Sequence, residues 1–369
     1  MNCESRIAGF LERTHYHRSS NKGKDVYGKT KVGICQSNRP INVFRRGFWF
    51  RCLGSPLNLS IEDLIMRKWL KRLGYAGLTL FLLLWTATTV FGVYFTIRPR
   101  VDQFDDPDTF AGHPVESVTI TTEDGINLSA WYIKASDDQA VILLAGIDGN
   151  RTSCRNRGEF FLDRGYSVLL PDLRASGRSE GRAVTIGWRE RKDLVACFDF
   201  LKDRGHEYIG ADGISLGAAT ICYAMPDLPD LSFAIIESSY DTLVNAVRNR
   251  LAMFKTPHFI AYPYYVGFGV IAGVPPWRMR PVDYVAHASA PTLVLAGDSE
   301  VEIPVHETQS IYERCAAPLK RLHFFKGAGH WDFLGRYTEE YTQVVDSFLN
   351  EASTGREATR LTQRLPHAP

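Results

Sequence analysis

The sequence predicts an α/β domain, built on a mostly parallel sheet with helices on both faces and preceded by one membrane-spanning helix. Three observations predict it: an uncharged run of 25 residues from Leu73 to Ile97, repeated alternation of strand-like and helix-like stretches after Val115, and continuous apolar character in the inner strands. The chain has 369 residues, 45% of them hydrophobic, enough for one large domain plus an appendage. A net charge of +2 argues against binding a bulk polyanion, so nucleic acid is not an expected partner. Seven cysteines include no CxxC pair and no Cys/His cluster at metal spacing, so neither a disulfide framework nor a metal site is expected. Cys154, Cys197 and Cys222 sit in apolar or helical contexts and read as small core residues.

Residues 1–65 mix basic, polar and aromatic residues without sustained periodicity. They read as a disordered cytoplasmic arm or as an extension upstream of a start at Met66, and carry no assigned chemistry. The apolar run from Leu73 is long enough, at about 1.5 Å per residue, to cross a hydrocarbon core of about 30 Å. It exceeds the h-region of a cleaved signal peptide, and no good A-x-A site follows, so residues 66–98 read as an uncleaved signal anchor. Arg67, Lys68, Lys71 and Arg72 stand before it, which keeps that end in the cytoplasm and sends the rest of the chain across. The catalytic domain is therefore expected outside the cytoplasm, on the periplasmic side in a bacterium.

From there the elements follow in order. "VESVTITT" and "LSAWYIK", around Glu123-Asp124-Gly125, form an antiparallel leading hairpin. "AVILLAG" (140–146) reads as a doubly buried strand, followed by a polar helix and then the strand "YSVLLPDLR" (166–174). Residues 188–205 place Leu194, Val195, Cys197, Phe198 and Leu201 at helical spacing. "YIGADGIS" (208–215) is a strand and "LGAATICYAM" a small-residue helix. Strands at 232–238, 291–298 and 320–327 complete the sheet, and a last helix carries Tyr341, Val344, Val345 and Phe348 on one face. Residues 241–283 break the alternation with aromatics and prolines, and read as a lid over the site or as a helical element resting on the membrane. The domain spans 99–352, leaving 353–369 as a disordered tail.

"GADGISLGAA" carries the chemical signal. A serine between glycines two positions away on either side, where a strand hands over to a helix, is the pattern of a nucleophile elbow. The bland alternative is a turn with Ser215 as helix cap. A serine hydroxyl needs a base, and the base an orienting acid, in the chain order Ser, acid, His. His330, in the Gly-rich loop "KGAGH" after the last strand, is the expected base. His323 falls within the strand, and His206, His258, His287 and His306 lack such a context. The acid lies in "LAGDSEVEIPV", which offers Asp298, Glu300 and Glu302 beyond the strand that ends near Gly297. By position, the backbone N–H groups of Leu216 and Ile147 are the candidate oxyanion donors.

These pieces, with "LLAGIDGNR" and "PDLRASGRSEG" (171–181), resemble the α/β-hydrolase superfamily, most of all its bacterial esterase and serine aminopeptidase-like branch. The resemblance covers about 230 residues in the right order. It implies the α/β-hydrolase fold, a Ser-His-acid triad acting on a small-molecule acyl substrate through an acyl-enzyme, and no cofactor. The family's usual spacing of Gly, two residues, acid, three residues, Pro is matched by Gly297, Glu300 and Pro304, so Glu300 is the acid it implies, with Asp298, next to the strand end, as the alternative. Two positions depart from the pattern: Ala145 replaces the histidine before the oxyanion loop, and Ala218 replaces a second glycine after the elbow. Peptidase, thioesterase and acyltransferase chemistry would use the same residues. An exopeptidase would call for lid acids to hold a free α-amine, and residues 245–280 contain none. A non-catalytic, membrane-tethered binding module of this fold would be marked by a broken triad, whereas all three positions are filled.

Overall fold

The computed structural model describes residues 60–364, so most of the 1–65 segment, and residues 365–369, lie outside the described residues. Helix α1 (Ile61–Ile97) begins before the apolar run and five residues before Met66. Glu62 and Asp63 in its first turn complement the helix dipole, and no Gly or Pro interrupts the chain before Gly74. Among the described residues, this one helix is long and apolar enough to cross a membrane. From Asp63 onward the chain forms one unit.

Among the described residues the sheet has nine strands: β1 (Thr109–Phe110), β2 (His113–Thr121), β3 (Asn127–Ile133), β4 (Gln139–Leu144), β5 (Ser167–Pro171), β6 (Tyr208–Ile214), β7 (Phe233–Glu237), β8 (Thr292–Gly297) and β9 (Lys320–Phe325). Their spatial order is β9-β8-β7-β6-β4-β5-β3-β2-β1. The leading hairpin pairs antiparallel, Val115 opposite Ile133 through Thr121 opposite Asn127, and β3 also runs antiparallel to β5. All pairings from β5 to β9 are parallel. The order reverses at β4, where β5 lies on one side and β6 on the other. Loops leaving the carboxyl ends of the strands therefore gather at that crevice, the expected place for a ligand in an open α/β sheet.

Helices α2 (Arg155–Leu162), α3 (Arg191–Asp203) and α4 (Leu216–Ala224) follow β4, β5 and β6. Two cores flank the sheet. One buries Ile142, Leu194, Cys197 and Ile221, and the other buries Val141, Cys154, Phe161, Tyr341 and Phe348. These neighbours place Cys154 and Cys197 in the packed interior, and Cys222 is buried as well. Between β7 and β8 lie α5 (Leu243–Met253), α6 (Tyr262–Ala272) and a short α7 (Pro281–Tyr284). They form a third cluster around Tyr240, Leu243 and Phe268, with Ile97 at the end of α1 packed against it. Helix α8 (Val305–Arg314) follows β8, and α9 (Phe333–Arg336) and α10 (Thr338–Arg364) close the chain.

Three boundaries differ from the sequence expectation. The strand over 166–174 is only Ser167–Pro171, because Asp172 turns inward to pair with Arg151 and to accept from Arg178 N. The helix over 188–205 starts at Arg191, where the Glu190 carboxylate accepts from the N–H groups of Thr185 and Gly187 and fixes the preceding loop. The chain also does not leave its last helix at 352: α10 runs to Arg364. The added turns are rich in Glu, Ala, Arg and Leu, and no proline intervenes before Pro366.

Candidate active site

Ser215 sits between β6 and α4 with φ 53° and ψ −104°, a left-handed conformation that costs a non-glycine residue about 1–3 kcal/mol and persists only where its surroundings enforce it. Here they do. A Cβ on Gly213 would lie 2.5 Å from the carbonyl carbon of Gly217, and one on Gly217 would lie 2.5 Å from the carbonyl oxygen of Leu144 on β4. Both flanking glycines are therefore required by backbone approach, whereas a capping turn would need neither. The side chain of Ser215 makes no capping bond, so the simple cap reading fails. Its amide donates to Glu237 O at 2.8 Å, continuing the β6–β7 ladder through the turn.

After β4 the chain makes a tight turn closed by Gly149 N donating to Gly146 O at 3.0 Å. A Cβ on Gly146 would stand 3.7 Å from that of Ser215, so this loop passes directly over the serine. Ile147, Leu216 and Ser215 line one cavity of about 240 Å³. The turn is tied down by Asp148, which receives Arg100 Nε at 2.5 Å. Arg100 thus holds the loop that begins at Ala145.

The acid and the imidazole meet over the ends of β8 and β9. Glu300 Oε2 lies 2.8 Å from His330 Nδ1, while its Oε1 accepts from Ser238 Oγ at 2.6 Å and Gly297 N at 2.8 Å. The Glu300 side chain is fully buried and that of His330 one quarter exposed. Asp298, the alternative acid, is exposed and serves the loop instead, accepting from Gly327 N at 2.6 Å and from Ser299 Oγ at 2.9 Å. His323 pairs with Glu340 at 2.8 Å, consistent with its place in the strand. Ser215, Glu300 and His330 follow the carboxyl ends of the parallel strands β6, β8 and β9, on one edge of the sheet. No hydrogen bond joins Ser215 Oγ to His330 among the described residues.

Sequence reasoning missed Ser238, whose hydroxyl fixes Glu300 and whose own φ is 52°. It also missed a charged cluster beneath the elbow. Arg157 of α2 reaches Glu237 at 2.5 Å, Asp212 at 3.3 Å and Asp332 at 3.5 Å, and Tyr341 OH donates to Glu237 at 2.8 Å. Burial pushes Glu237 up to about 8, with Arg157 opposing that rise, and likewise raises Asp212. The available signal was a lone acid in each of two apolar strands, "IGADGI" and "FAIIE". A buried charge of that kind must find a partner.

Fold and sheet edge define an α/β hydrolase. The chain matches the family described as X-Pro dipeptidyl-peptidase (S15 family) over residues 11–260, more than half its length, and it belongs to that family. It is a hydrolase of the serine type. It is 24% identical over 296 residues to the Bacillus subtilis protein YqkD, covering 74% of this chain and 96% of that one. A Saccharomyces cerevisiae protein named as a membrane protein is 24% identical over 260 residues, covering 67% and 83%. Among solved structures, an esterase from Pyrococcus furiosus superposes with a TM-score of 0.60 at 27% identity, covering 69% of this chain and 98% of that one.

Proposed function

We propose that this protein hydrolyses carboxylic esters, with Ser215 as nucleophile, His330 as base and Glu300 as the orienting acid. The observation that carries the reading is the Glu300 carboxylate: buried, with one oxygen held by two donors and the other facing His330 Nδ1. That arrangement leaves His330 Nε2 to take the proton from Ser215 Oγ as the serine oxygen bonds to the ester carbon. The backbone amides of Ile147 and Leu216 then receive the oxyanion, and the departing alcohol takes the proton back from His330. Water repeats the sequence, assisted by the same imidazole, and releases the acid. In the absence of substrate, reacting groups of this kind often stand too far apart for hydrogen bonding and close up on binding.

An ester fits the cavity better than a free-amine peptide. An amine-binding site needs an available carboxylate, and the cavity's one carboxylate, Asp148, is engaged by Arg100. Peptidase or thioesterase use of the same residues is the second reading. Helix α1 is proposed to anchor the chain in a membrane as a single pass, with its basic flank in the cytoplasm and the hydrolase domain on the other side. Labelling with a fluorophosphonate probe tests the nucleophile: the wild type should label and Ser215→Ala should not. Equal labelling of both would refute the assignment.

A further inference from the structure

The cavity that contains Ser215 does not open simply to solvent. Its walls include Phe95 and Thr96 from the last turns of α1, together with Val247 and Arg250 of α5 and Tyr264 of α6. The same five residues wall a second cavity, of about 430 Å³, which continues down the flank of α1 past Gly92 to Thr88 and is closed on the lid side by Leu251 and Ile260. The two spaces adjoin across these five shared side chains, so this thin wall is all that stands between the nucleophile's cavity and the groove on the side of α1.

Helix α1 and the lid are in contact along this groove. Trp85 Nε1 donates to Ile260 O at 2.9 Å, and Tyr264 OH donates to Thr96 Oγ1 at 3.4 Å. Val93 is the buried residue of α1, and a Cβ on Gly267 of α6 would stand 3.2 Å from its Cγ2. A hydrocarbon core of about 30 Å takes about 20 residues of helix. Counted from Leu73, just past the basic flank, that length ends near Gly92. Trp85 lies seven residues earlier, and at 1.5 Å per residue its contact with Ile260 falls ~10 Å inside the core. The lid therefore dips into the outer leaflet to the depth that amphipathic interfacial segments reach, about 5–10 Å. Its surface fits that setting. Helix α6, "YPYYVGFGVIA", carries no charge on any face, and Phe254, Val270 and Trp277 are 79%, 78% and 63% exposed. Such an apolar surface calls for a lipid or a partner.

We propose that the substrate is an acyl ester resident in the bilayer, which enters sideways between α1 and the lid, with its chain in the groove from Thr88 to Tyr264 and its carbonyl at Ser215. This rests on the serine-esterase reading above. The ester carbon–oxygen bond breaks as the Ser215–acyl bond forms, the alcohol leaves with the proton held by His330, and water returns the fatty acid to the leaflet.

The test uses the full chain in phosphatidylcholine vesicles and two fluorogenic esters of one alcohol, a palmitoyl ester dissolved in the bilayer and a soluble acetyl ester. Thr88 is exposed and lies at the outer end of the groove. Thr88→Trp fills that end, and displacing two methylenes of the chain should lower the rate on palmitate by about tenfold more than on acetate. Fluorophosphonate labelling of the variant reports whether its site is intact. An equal fall on both esters, with labelling retained, would overturn lateral entry. Wild-type protein that cleaves acetate through Ser215 but leaves bilayer palmitate untouched would overturn the lipid substrate while sparing the esterase reading. Protein that neither cleaves acetate nor labels would defeat the esterase reading itself.

Discussion

Replacing Glu300 by Gln tests the site most sharply, because its surroundings dictate how the amide must sit. Oε1 receives Gly297 N–H, a donor fixed by the backbone, as well as Ser238 Oγ. The Gln oxygen must take that position; the opposite flip would set NH₂ against N–H in a fully buried site, at about 1–3 kcal/mol. The NH₂ then faces His330 Nδ1, which becomes an acceptor, and the ring proton moves to Nε2, the atom needed as base. Imidazolium in the transition state also loses a charge-assisted bond across 2.8 Å, worth about 1.5–3 kcal/mol. Together about 2.5–6 kcal/mol predicts a fall in kcat of about 10²- to 10⁴-fold. KM for a soluble acetate ester should hardly change, since Glu300 is not among the residues lining the cavity. The thermal midpoint should move little, because the variant keeps its hydrogen bonds. Asp298→Asn is the control: an exposed side chain that still accepts from Gly327 N should retain activity. The reasoning is refuted if Glu300→Gln keeps more than about a tenth of wild-type kcat, or if Asp298→Asn loses more than Glu300→Gln.

Arg157→Met should cost about 3–5 kcal/mol, because Asp212 and Glu237 would lose the cation that both face. Adding Asp212→Asn and Glu237→Gln should restore much of the loss, as read by chemical denaturation; no rescue would mean that Arg157 acts by packing alone. Glu307 gives a pH prediction. Burial pushes it up to about 7 from 4.5, with the Asn249 amide bond opposing the rise and the charge of Asp241 adding to it, so the folded state holds its proton more tightly than the unfolded state does. Its contribution is fully present below 4.5 and is lost as pH rises through about 7. Glu307→Gln mimics the protonated form, so its melting midpoint should match wild type near pH 4.5 and exceed it by at least ~2 °C at pH 8. A constant difference across that range would show that Glu307 does not titrate there.

The parts of the site that were legible in the sequence are those enforced by backbone geometry. Gly213 and Gly217 could be read because no side chain fits where strand, turn and neighbouring strand come so close. The family spacing that favours Glu300 over Asp298 has a physical counterpart, since two residues of turn after Gly297 bring the third back beneath it, where Gly297 N meets its carboxylate. Ser238 was not legible, since a serine after a strand has many ordinary uses and its partner is 62 residues away. Segment 241–283 reads from sequence as a lid or as an element resting on the membrane. In the structure α5 and α6 contribute to the cavity that holds Ser215, and the turn between them meets α1 where Trp85 Nε1 donates to Ile260 O. No local pattern states this, because the contact between Trp85 and Ile260 spans 175 residues.

That contact belongs to a broader arrangement at the exit of α1. Val184 N donates to Ile97 O at 2.9 Å, and Arg100 and Val101 pair with Ser176 and Gly177 in a two-residue parallel bridge. Arg100 holds Asp148 in the turn over Ser215, and Asn150 Nδ2 donates to Asp102 at 3.1 Å. A flexible tether would let a soluble domain sample many orientations above a membrane. Here the first residues beyond the helix are bonded into the loops that shape the cavity, leaving no slack between anchor and site. If α1 spans the membrane as proposed above, it sets both the height and the facing of Ser215 relative to the bilayer. Phe95 and Thr96 belong to the cavity wall, so a fragment starting at Arg98 would lose part of the cavity that holds Ser215 along with the proposed anchor. Such a fragment should be less selective for long acyl chains as well as soluble, an outcome that would tie substrate choice to the proposed anchoring helix.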